Sequence, residues 1–111
     1  MIDAATFDPQ RFAASAAAAA RLLKALANER RLMILCQLAG GEMTVGALLP
    51  RVGLSQSALS QHLAVLRSDQ LVSTRRAGQA IHYRICDPAA AQVMTTLAAI
   101  FCPDDVEIVH V

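Results

Sequence analysis

The segment Ser55-Gln56-Ser57-Ala58-Leu59-Ser60-Gln61-His62-Leu63-Ala64-Val65-Leu66-Arg67 constrains the chain more than any other. Ala58, Leu59, Leu63 and Leu66 recur at helical spacing and define one apolar stripe. Ser55 stands where an N-cap belongs. The opposite side carries Gln56, Ser57, Ser60, Gln61 and Arg67. A helix face that meets only water is usually rich in Glu and Lys. Short hydroxyls and amides can instead lie against base edges and hydrogen-bond them. Those four Ser and Gln residues are the candidates for base contact. His62 sits on the margin of the stripe, where it can touch phosphate or simply orient the helix.

The flanking sequence supplies the setting. Asp8-Pro9 reads as an N-cap and first helical position of a helix running to about Ala27. Phe12, Ala16, Ala19, Leu23 and Leu26 form a narrow, small-sided seam along it, of the kind that meets another helix. Asn28 caps a second helix, Glu29 to Leu38, with Leu32, Leu35 and Leu38, and Met33 and Cys36 beside them, on its buried side; Gly40-Gly41 stops it. Thr44 caps a short third helix to about Arg51, Gly53 makes the turn, and the Ser55 helix follows. Residues 44–67 therefore read as a helix-turn-helix. After Asp69-Gln70 the period becomes alternating. Leu71 to Arg76 and Gln79 to Cys86 are expected to be two strands joined at Ala77-Gly78, with Ile81, Tyr83 and Ile85 on one face and His82 and Arg84 on the other. This hairpin, 71–86, is a wing. Asp87-Pro88 opens a last helix to about Phe101, where Ala90, Met94, Leu97 and Phe101 repeat the small-sided seam and Pro103 ends it. The acidic, then apolar, tail has no assigned place.

The expected fold is a single winged-helix domain over 1–111, mainly α with a β-hairpin wing. The helices near 8–27 and 88–102 join two copies. Composition supports the dimer. The chain is 55% hydrophobic but has no Trp, one Tyr and three Phe, so its core is built from small aliphatic residues. Small domains of that kind often complete their burial in an assembly. No run suits a membrane span and the N-terminus lacks a signal-peptide pattern, so the expected location is the cytoplasm.

Net charge is only +1, but it is unevenly placed. Residues 51–86 hold Arg51, Arg67, Arg75, Arg76 and Arg84 against Asp69 alone, a net +4. From residue 87 onward there are four acids and no Lys or Arg. The basic block contains the helix-turn-helix and the wing, where it would attract phosphate. Arg75 and Arg76, and less strongly His82 and Gln79, are the wing's candidate contacts. Three cysteines, Cys36, Cys86 and Cys102, argue against a structural disulfide framework. On residue type alone, Cys36 in an apolar helix reads as an inert core thiol, and Cys102 does so with more exposure.

The segments Leu23 to Leu35 and Leu54 to Arg67, with the wing Thr74 to Tyr83, resemble the ArsR family of dimeric winged-helix repressors over roughly residues 20 to 102. Many members sense metals through a Cys-x-Cys pair near the helix-turn-helix or through Asp and His on the last helix. Glu42 to Leu49 has no Cys, and Pro88 to Phe101 has no His, Asp or Glu, so no metal or other cofactor is expected. The positions of Cys36 and Cys102 are similar to those of the sulfide- and redox-responsive BigR/SqrR-type branch. That resemblance implies two thiols joined by reactive sulfur species or oxidants as a disulfide or tetrasulfide, with release of a double-stranded operator. Cys86 stands outside the pair. The alternatives are a metal-responsive repressor of the same fold, a thiol-disulfide redox protein, and a winged helix that binds protein. The redox enzyme lacks support from a Cys-x-x-Cys or a nucleophile-base set.

Overall fold

A computed structural model describes residues 8–102; the acidic tail after Cys102, with Pro103, lies outside the described residues. The order is α1 (Pro9–Leu26), α2 (Glu29–Leu38), β1 (Met43–Thr44), α3 (Val45–Val52), α4 (Gln56–Ser68), β2 (Val72–Ala77), β3 (Ala80–Ile85) and α5 (Pro88–Phe101). The expected winged helix is present.

Each helix begins where a side chain can satisfy an orphan amide. Asp8 Oδ1 accepts from Gln10 N at 3.0 Å, Asn28 Oδ1 from Arg31 N at 3.1 Å, and Thr44 Oγ1 from Ala47 N at 3.1 Å. Asp87 Oδ1 accepts from Ala89 N at 3.0 Å. Arg31 also works backwards. Its Nε donates to the Ala25 carbonyl at 2.7 Å and its Nη2 to Lys24 at 3.4 Å, which closes the end of α1 with a cation. One guanidinium thus fixes the corner between α1 and α2.

The core is one aliphatic cluster. Ile34 and Leu35 of α2, Leu48 of α3, and Leu59, Leu63 and Leu66 of α4 are its most completely buried large side chains. Leu71, Val72, Ala90 and Met94 extend it under the sheet and α5. The expectation for α2 needs correcting. Met33 and Cys36 are exposed, and Ile34 takes the buried place beside Leu35 and Leu38. At 3.6 residues per turn, Ile34, Leu35 and Leu38 share one arc, and Met33 and Cys36 fall on the other side. The seams of α1 and α5 divide similarly. Leu26, Ala90 and Met94 are core and Leu97 packs half-buried against it, but Phe12, Leu23 and Phe101 are exposed, as is Ile100 beside the seam.

The wing is larger than a two-stranded hairpin. β2 and β3 pair antiparallel from Val72↔Ile85 to Ala77↔Ala80, so the loop is Gly78-Gln79, one residue later than expected. Gly78 takes φ of 63°, which favours glycine in so tight a loop. The strand β1 joins the free edge of β3 through Met43↔Tyr83 and Thr44↔His82, giving the order β1-β3-β2. Ile81, expected on the apolar face, is 42% exposed because it lies near the hairpin tip, beyond the helices.

The recognition-type helix α4 ends in a Schellman motif. Leu71 N donates to Leu66 O at 2.9 Å and Gln70 N to Arg67 O at 3.0 Å. Gln70, with φ of 63°, occupies the left-handed position that glycine usually fills. Gly53, with φ of 65°, holds the equivalent position after α3. Replacing Gln70 with Gly is therefore expected to stabilise the fold by about 1 kcal/mol, and Gly53→Ala to destabilise it by about 1–2 kcal/mol. Urea unfolding midpoints for the two variants should move in opposite directions.

Candidate nucleic-acid interface

The helix-turn-helix is set by α3, the left-handed Gly53 and α4. Ser55 Oγ accepts from Ala58 N at 3.1 Å, so its oxygen is used as the α4 cap. Its O–H remains available as a donor. Leu59, Leu63 and Leu66 anchor one side of α4 in the core. Gln56, Ser57, Ser60, Gln61 and Arg67 are exposed together on the outer side, with Ala58 and His62 half-buried at the boundary. The division follows the periodicity of the sequence residue by residue. None of the exposed side chains among these makes a hydrogen bond to another side chain among the described residues, so their polar groups face solvent.

The sheet stands beside this helix. Ser60, Leu63, Ala64, Arg67 and Ser68 of α4 and Tyr83 of β3 line an open cleft of ≈ 460 Å³. Tyr83 lies on the apolar face of β3, as expected, and packs half-buried against the core. It shares the lining of this cleft with Arg67.

The wing candidates do not behave alike. Arg76 and Gln79 are exposed, and Arg76 has no ion pair among the described residues. His82 is half-buried in the central strand, paired with Arg75 on one side and Thr44 on the other. Arg75 is engaged: its Nε donates to both carboxylate oxygens of Glu42 at 2.9 Å, and its Nη2 lies 2.9 Å from Oε1. Sequence reasoning missed this partner because it is 33 residues away.

The three thiols are free and exposed. Cys36 lies on the outer side of α2, Cys102 is the C-cap of α5, and Cys86 follows β3 with its Sγ 3.5 Å from the Gln70 carbonyl. Among the described residues, no three His, Cys, Asp or Glu side chains are grouped to hold a metal ion. No described helix is long and apolar enough to cross a membrane.

A helix-turn-helix with an exposed Ser/Gln face, braced by a three-stranded wing, defines a winged-helix DNA-binding transcriptional regulator. The comparisons with known proteins narrow the class. The sequence profile of the bacterial regulatory protein, arsR family, matches residues 28–74. The transcriptional activator HlyU of Vibrio cholerae is 49% identical over 88 residues, covering 79% of this chain and 82% of its own. The structure of the repressor BigR from Xylella fastidiosa superposes with a TM-score of 0.82 at 41% identity, covering 86% of this chain and 98% of that one. A homodimeric winged helix-turn-helix DNA-binding domain from Mycobacterium bovis gives a TM-score of 0.70 at 35% identity, covering 96% and 95%. The chain belongs to the ArsR family.

The geometry separates folding roles from surface roles on α4. Ser55→Ala removes the cap and is expected to lower stability by about 1 kcal/mol. Ser57→Ala, two residues on but fully outward, should stay within about 0.5 kcal/mol of the parent. Thermal unfolding of the two variants side by side checks the distinction.

Proposed function

We propose that the protein is a homodimeric repressor that binds a near-palindromic operator and releases it when Cys36 and Cys102 become linked. The observation that carries the DNA reading is the clean split of α4 into a buried leucine side and an open Ser/Gln side. Gln56, Ser57, Ser60 and Gln61 meet base edges in the major groove, where glutamine can pair with adenine in a bidentate manner. Ser55 and His62 flank them. Arg67 and Arg76 take phosphate, with Gln79 at the tip of the wing; Arg75 reaches phosphate only by leaving Glu42. A twofold dimer places two such helices about 34–36 Å apart, one turn of the duplex.

Leu23, Ile100 and Phe101 support the dimer. They are large, apolar and uncovered on α1 and α5, and a solitary soluble domain gains nothing by exposing them. The Mycobacterium bovis relative is described as homodimeric, which agrees. HlyU is named an activator and BigR a repressor. Repression needs only occupancy of a promoter, which the proposed operator binding supplies.

The exposure of Cys36 and Cys102 supports the sensing role, since a thiol must be reached before it can react. The solved Vibrio cholerae HlyU includes a form described as reduced. Joining the two sulfurs removes two electrons and two protons. A peroxide accepts them and becomes water, or a polysulfide accepts them and is cut to hydrosulfide, leaving sulfur atoms in the bridge when it also donates them. The link would tie the end of α5 to α2 and change the angle between the two recognition helices.

The test uses a fragment that the reduced protein enriches from sheared genomic DNA. Polysulfide treatment is expected to lower affinity for it by about 5–150-fold, the usual range of allosteric coupling. Cys36→Ser and Cys102→Ser should bind as the parent does and ignore the treatment. Intact mass on the same samples should show whole sulfur atoms gained. Continued release by either variant would overturn the pairing, whereas failure to enrich any fragment would overturn the DNA reading itself.

A further inference from the structure

The sheet carries an ion pair that the proposed DNA contacts do not use. Glu42 and Thr44 share one face of the sheet by alternation, at the β1 edge. Arg75 lies on β2 at the other edge, and His82 of the central strand stands between Thr44 and Arg75 in one cross-strand row. The Arg75 guanidinium therefore reaches back across β3 to the Glu42 carboxylate, holding both of its oxygens through Nε and one through Nη2, all at 2.9 Å. Both side chains remain partly exposed, at 55% and 30%. An ion pair so open to water adds little to folding. Its effect on an approaching polyanion is larger. Arg76, the next residue, points to the other face with no acid on it.

We infer that Glu42 is a positioning residue that keeps Arg75 off the phosphate backbone and so lowers the electrostatic affinity for duplex of any sequence. The inference rests on the DNA reading above. Non-specific affinity comes almost wholly from cations that displace counterions from phosphate. A guanidinium already neutralised by a carboxylate displaces none. Withholding one arginine per protomer weakens binding to every sequence alike and leaves the base contacts of α4 untouched.

The experiment measures affinity for a random-sequence 40-bp duplex between 50 and 200 mM salt. The proteins are the full chain, Glu42→Gln, Arg75→Gln, the double variant and Arg76→Gln. Freeing Arg75 in Glu42→Gln adds one phosphate contact per protomer. The salt slope should steepen by about 0.9 for each, so that the loss over this range grows about tenfold for the dimer. Arg75→Gln alone should keep the parental slope, and the double variant should return to it, which excludes Arg84 or a general charge effect as the cause. Arg76→Gln should flatten the slope by about one unit per protomer. Flattening by Arg75→Gln, or an unchanged slope in Glu42→Gln, would overturn the inference. If the parent itself shows no salt-dependent binding to duplex, the underlying DNA reading fails, and that arm shows it separately. Circular dichroism melts confirm that each variant is folded before its slope is read.

Discussion

The arrangement of recognition helix, wing and last helix depends on one residue, Leu71. Its N–H closes the end of α4 on Leu66 O at 2.9 Å. Its carbonyl accepts from Cys86 N at 2.9 Å and from Asp87 N at 3.4 Å, at the junction of β3 with α5. Its side chain is 3% exposed and packs in the aliphatic core. Backbone groups buried without partners are costly, so these bonds and that burial reinforce one another. The end of α4 and the β3–α5 junction are thereby referenced to a single residue.

Around that point the core is unusually plain. No buried polar or charged side chain is found among the described residues, apart from the Ser73 Oγ atom, which is enclosed without a partner. Specification of the fold instead comes from the ends of helices. Asp8, Asn28, Thr44, Ser55 and Asp87 each cap a helix through a side-chain oxygen, and Arg31 closes α1 from the other end. Small aliphatic side chains fill space with little directional preference. The caps decide where each helix starts, and hence which faces meet.

These caps explain why so much was legible in the sequence. Asp8-Pro9, Asn28, Thr44, Ser55 and Asp87-Pro88 are local signals, and each marks a real boundary. The α4 face division was legible for the same reason, because helical periodicity alone decides it. What was not legible is either too short or too distant. β1 has two residues, too few to show alternation, and Thr44 in it doubles as a helix cap. Gln70 hides a left-handed turn because no glycine announces it. Met33 and Cys36 are apolar by type, yet the arc of α2 that reaches the core is taken by Ile34, Leu35 and Leu38, with Leu32 packed half-buried against it. Glu42 and Arg75 meet only once the sheet order is known.

The short strand β1 has one more effect. Thr44 pairs with His82 in the sheet while its hydroxyl starts α3, so the first helix of the helix-turn-helix is keyed directly into the central wing strand. The hairpin is consequently no independent flap. Within one protomer, the start of α3 and the sheet are held together at this residue. In the operator complex proposed above, an extra base pair inside a half-site, which displaces the duplex by about 3.4 Å along its axis, would find this joint unyielding. In the proposed dimer, slack in operator length would belong at the twofold centre, where the two halves meet.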